Sequence, residues 1–150
     1  MSRERTLPDE AATIELGQRL AARLHGGLVV YLHGDLGAGK TTFARAFLRA
    51  LGVGERVKSP TYSLIEGYDL EGRRAFHLDL YRIADPGELE WLGLDSLAEP
   101  GAIVLVEWPE RGTGALPPVD LEIRFRHEGP GRVVSFEPRS SAGERLIGEL

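Results

Sequence analysis

The chain has 150 residues, of which 42% are hydrophobic and 27% charged, with a formal net charge of −5. These values are typical of a single globular domain, expected to span residues 1–150. The chain contains no cysteine, which excludes disulfides, thiolate metal sites and cysteine nucleophiles and fits a cytoplasmic protein. The acidic charge argues against broad, unaided nucleic-acid binding, and no apolar run is long enough to cross a membrane.

The N-terminal third predicts a helix, a strand and a second helix. Residues 1–5 are charged and lead into an amphipathic helix rather than a signal-peptide core. Asp9 is the predicted N-cap of that helix, which continues at helical spacing until the glycines at 26–27. Residues 28–32 are apolar and β-branched, as in a buried parallel strand, and residues 42–51 return to helical spacing before Gly52.

The remainder predicts strands and two further helices. A short helix is expected over residues 85–92, capped by Asp85, and a C-terminal helix from about residue 141. A hairpin turn is expected at residues 70–72 and a Gly- and Pro-rich loop at 111–118. Strands are predicted at residues 62–68, 74–81, 102–106, 119–126 and 132–136. The prediction is an α/β domain with a mixed central sheet.

Residues 34–41, between the first strand and the second helix, complete the phosphate-binding pattern G-x-x-x-x-G-K-[ST]. Its glycines allow backbone N–H groups to surround phosphate oxygens, and a helix beginning near Gly39 adds the positive end of its dipole. Lys40 brings a positive charge to the terminal phosphates, and the hydroxyl of Thr41 can ligate Mg²⁺. This segment is called the phosphate loop below. The predicted nucleotide-binding residues are the loop and the residue after it: Gly34, Asp35, Leu36, Gly37, Ala38, Gly39, Lys40, Thr41 and Thr42.

A phosphate loop usually works with an acid at the end of a neighbouring strand, which holds Mg²⁺ directly or through water. Glu107 follows an apolar run, and Asp79 follows an alternating strand in which His77 shares its face, so both acids are candidates. Trp108 either lines the nucleotide pocket or belongs to the core. Residues 59–61 either sense a γ-phosphate or begin a strand. The four histidines have no metal-ligand spacing and are expected to be structural or exposed.

The ordered set of motifs resembles the TsaE (YjeE) family, the small ATPases of bacterial tRNA threonylcarbamoyladenosine synthesis, over nearly the whole length. These motifs are residues 7–10, the phosphate loop with Thr42, residues 58–62, 77–86 and 106–109. The resemblance implies a P-loop NTPase-like three-layer fold. It also implies that ATP is the nucleotide, with Mg²⁺ held by Thr41 and Glu107. Asp79 would lie beside the active site, Trp108 near the nucleotide, and Glu10 and Arg132 close to it.

The resemblance further implies a role in a larger assembly. The chain would associate with TsaD and TsaB, which attach threonylcarbamoyl to N6 of adenosine 37 in tRNAs reading codons that begin with A. ATP hydrolysis would support repeated turnover of that assembly, and tRNA would be reached only through the partners. This arrangement agrees with the acidic charge of the chain.

Two other functions are compatible with a phosphate loop. A small-molecule kinase requires an acceptor pocket and usually an arginine-bearing lid; the candidate lid, residues 111–118, has only Arg111. A GTP-dependent switch usually carries an N-K-x-D sequence for guanine, which is absent here.

Overall fold

The structure is a computed structural model that describes residues 3–53, 65–85, 87–89 and 94–148. The described part contains three α-helices: α1 (Glu10–Ala22), α2 (Lys40–Leu48) and α3 (Ser141–Ile147). Its strands are β1 (Arg3–Leu7), β2 (Leu28–His33), β3 (Ile65–Leu70), β4 (Arg73–Asp79), β5 (Ile103–Glu107), β6 (Leu121–Glu128) and β7 (Gly131–Pro138). No helix within these ranges has the length and apolar character needed to span a membrane.

The seven strands form one mixed sheet in the order β1-β7-β6-β2-β5-β4-β3. The four central strands, β6, β2, β5 and β4, run parallel, whereas β3 at one edge and β7 and β1 at the other pair antiparallel. The carboxyl ends of β2, β4 and β5 therefore meet at one edge of the sheet. The phosphate loop follows β2 at that edge, which is the usual place for a ligand in a parallel α/β sheet.

Two apolar clusters lie on opposite faces of the sheet. The larger one joins all three helices to alternate residues of the strands, such as Val30, Leu32 and Ile123. The smaller one covers the other face of β2, β4 and β5 with apolar residues that follow β4 and β5, including Leu80, Leu89 and Leu97. Burial on both faces explains why β5 is apolar along its whole length until Glu107. The result confirms an α/β fold with a mixed sheet.

The elements largely follow the sequence prediction, with one omission. The N-terminal residues form strand β1, whereas the sequence predicted only a charged lead into α1. β1 has a single buried apolar residue, Leu7, and it exists because Arg3–Leu7 pairs with β7. No hydrophobic periodicity marks such a strand, since pairing and not burial supports it.

Smaller differences concern element ends. α1 ends at Ala22, with Arg23 as its C-cap, before the glycines at 26–27. After α2 the chain continues as a π-helical turn, Arg49–Val53, in which Gly52 has a left-handed backbone. The predicted helix over residues 85–92 is described only in part, and residues 87–89 form a 3₁₀ turn after Asp85. Residues 59–61 lie outside the described residues.

Candidate active site

The phosphate loop owes its shape to glycines at fixed positions. Gly34 has φ of 143°, and a Cβ there would lie 2.6 Å from the carbonyl oxygen of Phe125. Gly39 has φ of 110° and is the N-cap of α2. L side chains rarely adopt either conformation, so both positions favour glycine. The pattern of the sequence is therefore explained by the backbone turn between β2 and α2.

The start of α2 is open to an anion. Its N-cap, Gly39, has no side chain to accept hydrogen bonds from the first turn. The first N–H groups of a helix have no intrahelical acceptor, and the helix dipole makes this end positive. Such an end binds phosphate readily when nothing caps it.

Lys40, the first residue of α2, is buried beside this helix end. Its Nζ donates to the carbonyl oxygen of Gly34 at 2.5 Å and lies 3.7 Å from the ring centroid of Trp108. Burial lowers the pKa of Lys40, and the nearby carboxylates of Glu107 and Asp79 oppose that effect. A triphosphate would replace the single carbonyl as the partner of this ammonium group.

Glu107 is joined to the phosphate loop through Thr41. The hydroxyl of Thr41 lies 2.8 Å from Oε1 and 3.0 Å from Oε2 of Glu107. His77 Nε2 lies 2.6 Å from Oε2 of the same carboxylate. Glu107 is only 2% exposed and His77 is fully buried, so the carboxylate is held in one place by neighbours from α2 and β4.

Asp79 ends β4 and stands opposite Glu107 in the pairing of β4 with β5. Its Oδ1 accepts a hydrogen bond from the backbone N–H of Tyr81 at 3.1 Å. Burial raises the pKa of Asp79; the Tyr81 N–H opposes the rise, and the charge of Glu107 adds to it. The two acids that the sequence offered as alternatives therefore lie together at one strand edge.

Trp108 follows Glu107 at this edge of the sheet and packs against Tyr81. It has φ of 58°, the one positive φ at a non-glycine residue within the described ranges. Its ring packs at 5.0 Å from the ring of Tyr81, and Arg111 lies 5.5 Å from that same ring. Trp108 is thus half-buried at the site rather than enclosed in the core. A bulky residue in the left-handed region is rare, and here it is the N-cap of the 3₁₀ turn Pro109–Gly112.

These residues surround a cavity of about 200 Å³, called the acidic cavity below. Its lining brings together the phosphate loop, both acids and the aromatic pair. The lining residues are Leu36, Gly37, Gly39, Lys40, Thr41, Thr42, Asp79, Tyr81, Glu107 and Trp108.

A second cavity of about 250 Å³ lies on the other side of the phosphate loop, and we call it the Arg132 cavity. It shares Gly37, Gly39 and Thr42 with the acidic cavity, so the two meet along the loop. Arg132 donates to the carbonyl oxygen of Gly37 at 3.0 Å. The lining residues are Asp9, Glu10, Thr13, Gly37, Gly39, Thr42, Pro130, Gly131 and Arg132.

Of the predicted site residues, all but three line one of the two cavities. The exceptions belong to the phosphate loop: the carbonyl of Gly34 accepts from Lys40, Asp35 is exposed, and Ala38 is buried with its N–H directed to Asp35. The sequence did not single out His77 as a site residue; it is fully buried, and its Nε2 contacts the candidate metal acid Glu107 directly. Its spacing two residues before Asp79, on the same strand face, was the available signal.

The donor set of the acidic cavity suits Mg²⁺. Thr41 and Glu107 supply a hydroxyl and a carboxylate, which are the oxygen ligands this ion prefers. Protein sites commonly give Mg²⁺ one or two such ligands, and nucleotide phosphates and waters supply the others. The residues present therefore fit a metal ion that accompanies a bound nucleotide.

The fold and this site define an α/β protein with a glycine-rich loop between a parallel strand and a helix. The model of the family "Threonylcarbamoyl adenosine biosynthesis protein TsaE" matches residues 7–134. The chain belongs to the TsaE family, which takes part in tRNA threonylcarbamoyladenosine biosynthesis.

Individual relatives agree with the family assignment. The chain is 39% identical to the tRNA threonylcarbamoyladenosine biosynthesis protein TsaE of Haemophilus influenzae, covering 94% of this chain and 92% of that protein. It is 37% identical to the protein of the same name from Bacillus subtilis, covering 95% and 89%. The crystal structure of YdiB from Bacillus subtilis superposes with a TM-score of 0.79 at 29% identity, covering 99% of this chain and 93% of that one.

Proposed function

We propose that this chain binds and hydrolyses ATP with Mg²⁺, and that hydrolysis supports turnover of a TsaD–TsaB complex that modifies adenosine 37 of tRNA. One observation carries the proposal: Lys40 and Thr41, on an open helix start, share a cavity with the buried carboxylate of Glu107. This combination supplies the three groups that phosphoryl transfer uses, which are amide donors, a cation and a metal-binding acid.

The phosphates would lie along the loop, where the two cavities meet. The first N–H groups of α2 and the ammonium of Lys40 would bind their oxygens, because both are positive and Lys40 has only one carbonyl to replace. The nucleoside would then extend into the Arg132 cavity, near Glu10 and Arg132. The terminal phosphate would face the acidic cavity.

Hydrolysis would depend on positioning. Mg²⁺ would be held by Thr41 and Glu107 and would neutralise charge that develops on the phosphate oxygens. Asp79 faces the same cavity from the next strand, and its carboxylate would orient the attacking water. The activity of the chain alone would be slow and would depend on the partner complex, since such reactions rely on positioned charges that a partner can complete.

A partner would contact the mouth of the acidic cavity. Leu36 and Tyr81 are 62% and 39% exposed, and both line that cavity. Large apolar side chains exposed beside a site are frequent at protein interfaces. A TsaD–TsaB complex in contact with these side chains would sense whether nucleotide is bound.

The test is reconstituted tRNA modification with purified TsaD and TsaB, counting threonylcarbamoyl groups per complex. We expect multiple turnovers only with this chain and ATP, and at most about one turnover with the Lys40→Ala variant. Multiple turnovers with Lys40→Ala, or without ATP, would refute the proposal. Following γ-phosphate label in the same mixture separates an ATPase from a kinase, since a kinase would transfer the label to a metabolite and not release phosphate.

A further inference from the structure

His77 is a buried polar residue whose one observed polar contact is to the candidate metal acid. It lies in β4 with no exposed surface, and its Nε2 is 2.6 Å from Oε2 of Glu107. Its Nδ1 is buried and has no hydrogen-bond partner within the described residues. Burying an imidazole costs free energy that an apolar side chain of similar size would not. The hydrogen bond to Glu107 is the contact that offsets this cost.

The direction of that hydrogen bond follows from the chemistry of the two groups. Glu107 is a metal-ligating carboxylate in the proposed function, and an ionised carboxylate only accepts hydrogen bonds. The Nε2 of His77 must therefore carry a hydrogen and donate it. Thr41, the other neighbour, has a single hydroxyl hydrogen to share between Oε1 and Oε2.

His77 and Thr41 then hold the carboxylate of Glu107 from two sides. His77 occupies Oε2 from β4, and Thr41 contacts both oxygens from α2. Without His77, Thr41 alone would restrain the carboxylate, and Glu107 could rotate about its side-chain torsions. Groups that hydrogen-bond a metal ligand in this way fix its orientation and commonly change metal affinity 10–100-fold.

We propose that His77 is a positioning residue that holds the carboxylate of Glu107 ready for Mg²⁺. The inference rests on the proposed function. His77 does not contact nucleotide or metal itself; it acts through Glu107. It also explains why a histidine stands two residues before Asp79 on the face of β4 that adjoins the phosphate loop. Removal of the donor should weaken metal binding and leave metal-free nucleotide binding unchanged.

The experiment compares His77→Leu, which removes the donor, with His77→Gln, whose amide nitrogen reaches about as far as Nε2. Mn²⁺ is titrated into protein saturated with ADP, and free Mn²⁺ is followed by electron paramagnetic resonance against ADP alone. A fluorescent ADP analogue in EDTA reports metal-free affinity. We expect Mn²⁺ affinity to fall about 10–100-fold in His77→Leu, to stay within about threefold of wild type in His77→Gln, and metal-free affinity to be unchanged in both.

Several results would overturn the inference. One is unchanged Mn²⁺ affinity in His77→Leu, and another is an equal loss of Mn²⁺ affinity in His77→Leu and His77→Gln. A third is a loss of metal-free ADP affinity as large as the loss of Mn²⁺ affinity, which would indicate a structural role. If His77→Leu does not fold, as judged by circular dichroism, His77→Asn replaces it, since its shorter amide cannot reach Oε2. Wild-type protein that binds no nucleotide, with or without metal, would overturn the proposed function and this inference together.

Discussion

The two cavities beside the phosphate loop are built by different parts of the sheet. The acidic cavity is formed at the ends of parallel strands β4 and β5, where the register sets Asp79 opposite Glu107. The Arg132 cavity is formed where β1 leads into α1, because pairing of Leu7 with Arg132 brings the start of α1 near β7. The acidic cavity depends on the order of the parallel strands in the sheet, and the Arg132 cavity depends on strand pairing at the antiparallel edge.

Because the two cavities are built differently, we assign a different function to each. The acidic cavity holds Glu107, which is buried and hydrogen-bonded, and the partly buried Asp79, which suits metal binding and the chemical step. The Arg132 cavity holds polar groups near the surface, which suits recognition of a nucleoside. Substitutions in the first should therefore change the rate and the metal dependence, and those in the second should change nucleotide affinity alone.

Lys40→Ala should have the largest effect. It removes the cation that faces the terminal phosphates, and loss of one such electrostatic contact typically lowers a rate by about 10²–10³. Phosphate release with the partner complex present is the measurement. Arg49→Ala, an exposed arginine at the other end of α2, should keep the wild-type rate. Wild-type turnover in Lys40→Ala would remove the acidic cavity from the mechanism.

Glu107→Gln and Glu122→Gln compare two buried carboxylates, 2% and 9% exposed. Glu122, in β6, accepts a hydrogen bond from Nε of Arg139 at 2.7 Å and lies 2.8 Å from Nε2 of His33. Glu107→Gln should raise the Mg²⁺ concentration for half-maximal hydrolysis and lower the rate about 10²-fold. Glu122→Gln should leave both unchanged.

The charge of Glu122 is expected to contribute to stability and not to catalysis. Glu122→Gln should lower the free energy of unfolding by about 1–3 kcal/mol, because the acceptor loses its charge and one of its two oxygens is replaced by an NH₂ group. Phosphate release against Mg²⁺ concentration and urea unfolding measure the two effects. Equal kinetic losses in both variants would mean that the charge of Glu107 has no special role.

Arg132→Ala tests the other cavity. The substitution removes a cation near the proposed nucleoside and a hydrogen bond to Gly37. ADP binding should weaken about tenfold, or ~1.4 kcal/mol, and the Mg²⁺ dependence of hydrolysis should stay the same. Arg124→Ala, an exposed arginine of β6, is the matched control. Calorimetric titration with ADP measures the change in affinity. A changed Mg²⁺ dependence would contradict the assignment of metal binding to the acidic cavity and nucleoside binding to the Arg132 cavity.

Asp79→Asn should have the smallest of the predicted effects, a slight gain in thermal stability. Burial raises the pKa of Asp79, so the folded state disfavours the ionised carboxyl at neutral pH. The variant should therefore unfold roughly 1–3 °C higher than wild type at pH 7 without nucleotide, although its hydrolysis falls. This advantage should shrink as the pH is lowered through the folded-state pKa of Asp79. Thermal unfolding at several pH values measures it, and a lower melting temperature at pH 7 would contradict it.

The sequence predicted the acidic cavity better than the Arg132 cavity, for a physical reason. Glycine spacing marks the phosphate loop, and an apolar run ending in an acid marks Glu107, because parallel strands are buried on both faces. β1 has one buried residue and no such pattern. Without β1, nothing in the sequence joins Glu10 to Arg132, and only the family resemblance brought them together. The sequence placed His77 on the same face as Asp79 but not beside Glu107, because that contact joins two different strands.

The most direct test of the account is calorimetric titration of magnesium-ATP into the folded protein, alone and with TsaD and TsaB. The account predicts saturable binding at one nucleotide per chain, weakened in Lys40→Ala and weakened when EDTA removes the metal. Absence of any binding heat with both partners present, at several temperatures, would contradict the claim that the open start of α2 holds a nucleoside triphosphate.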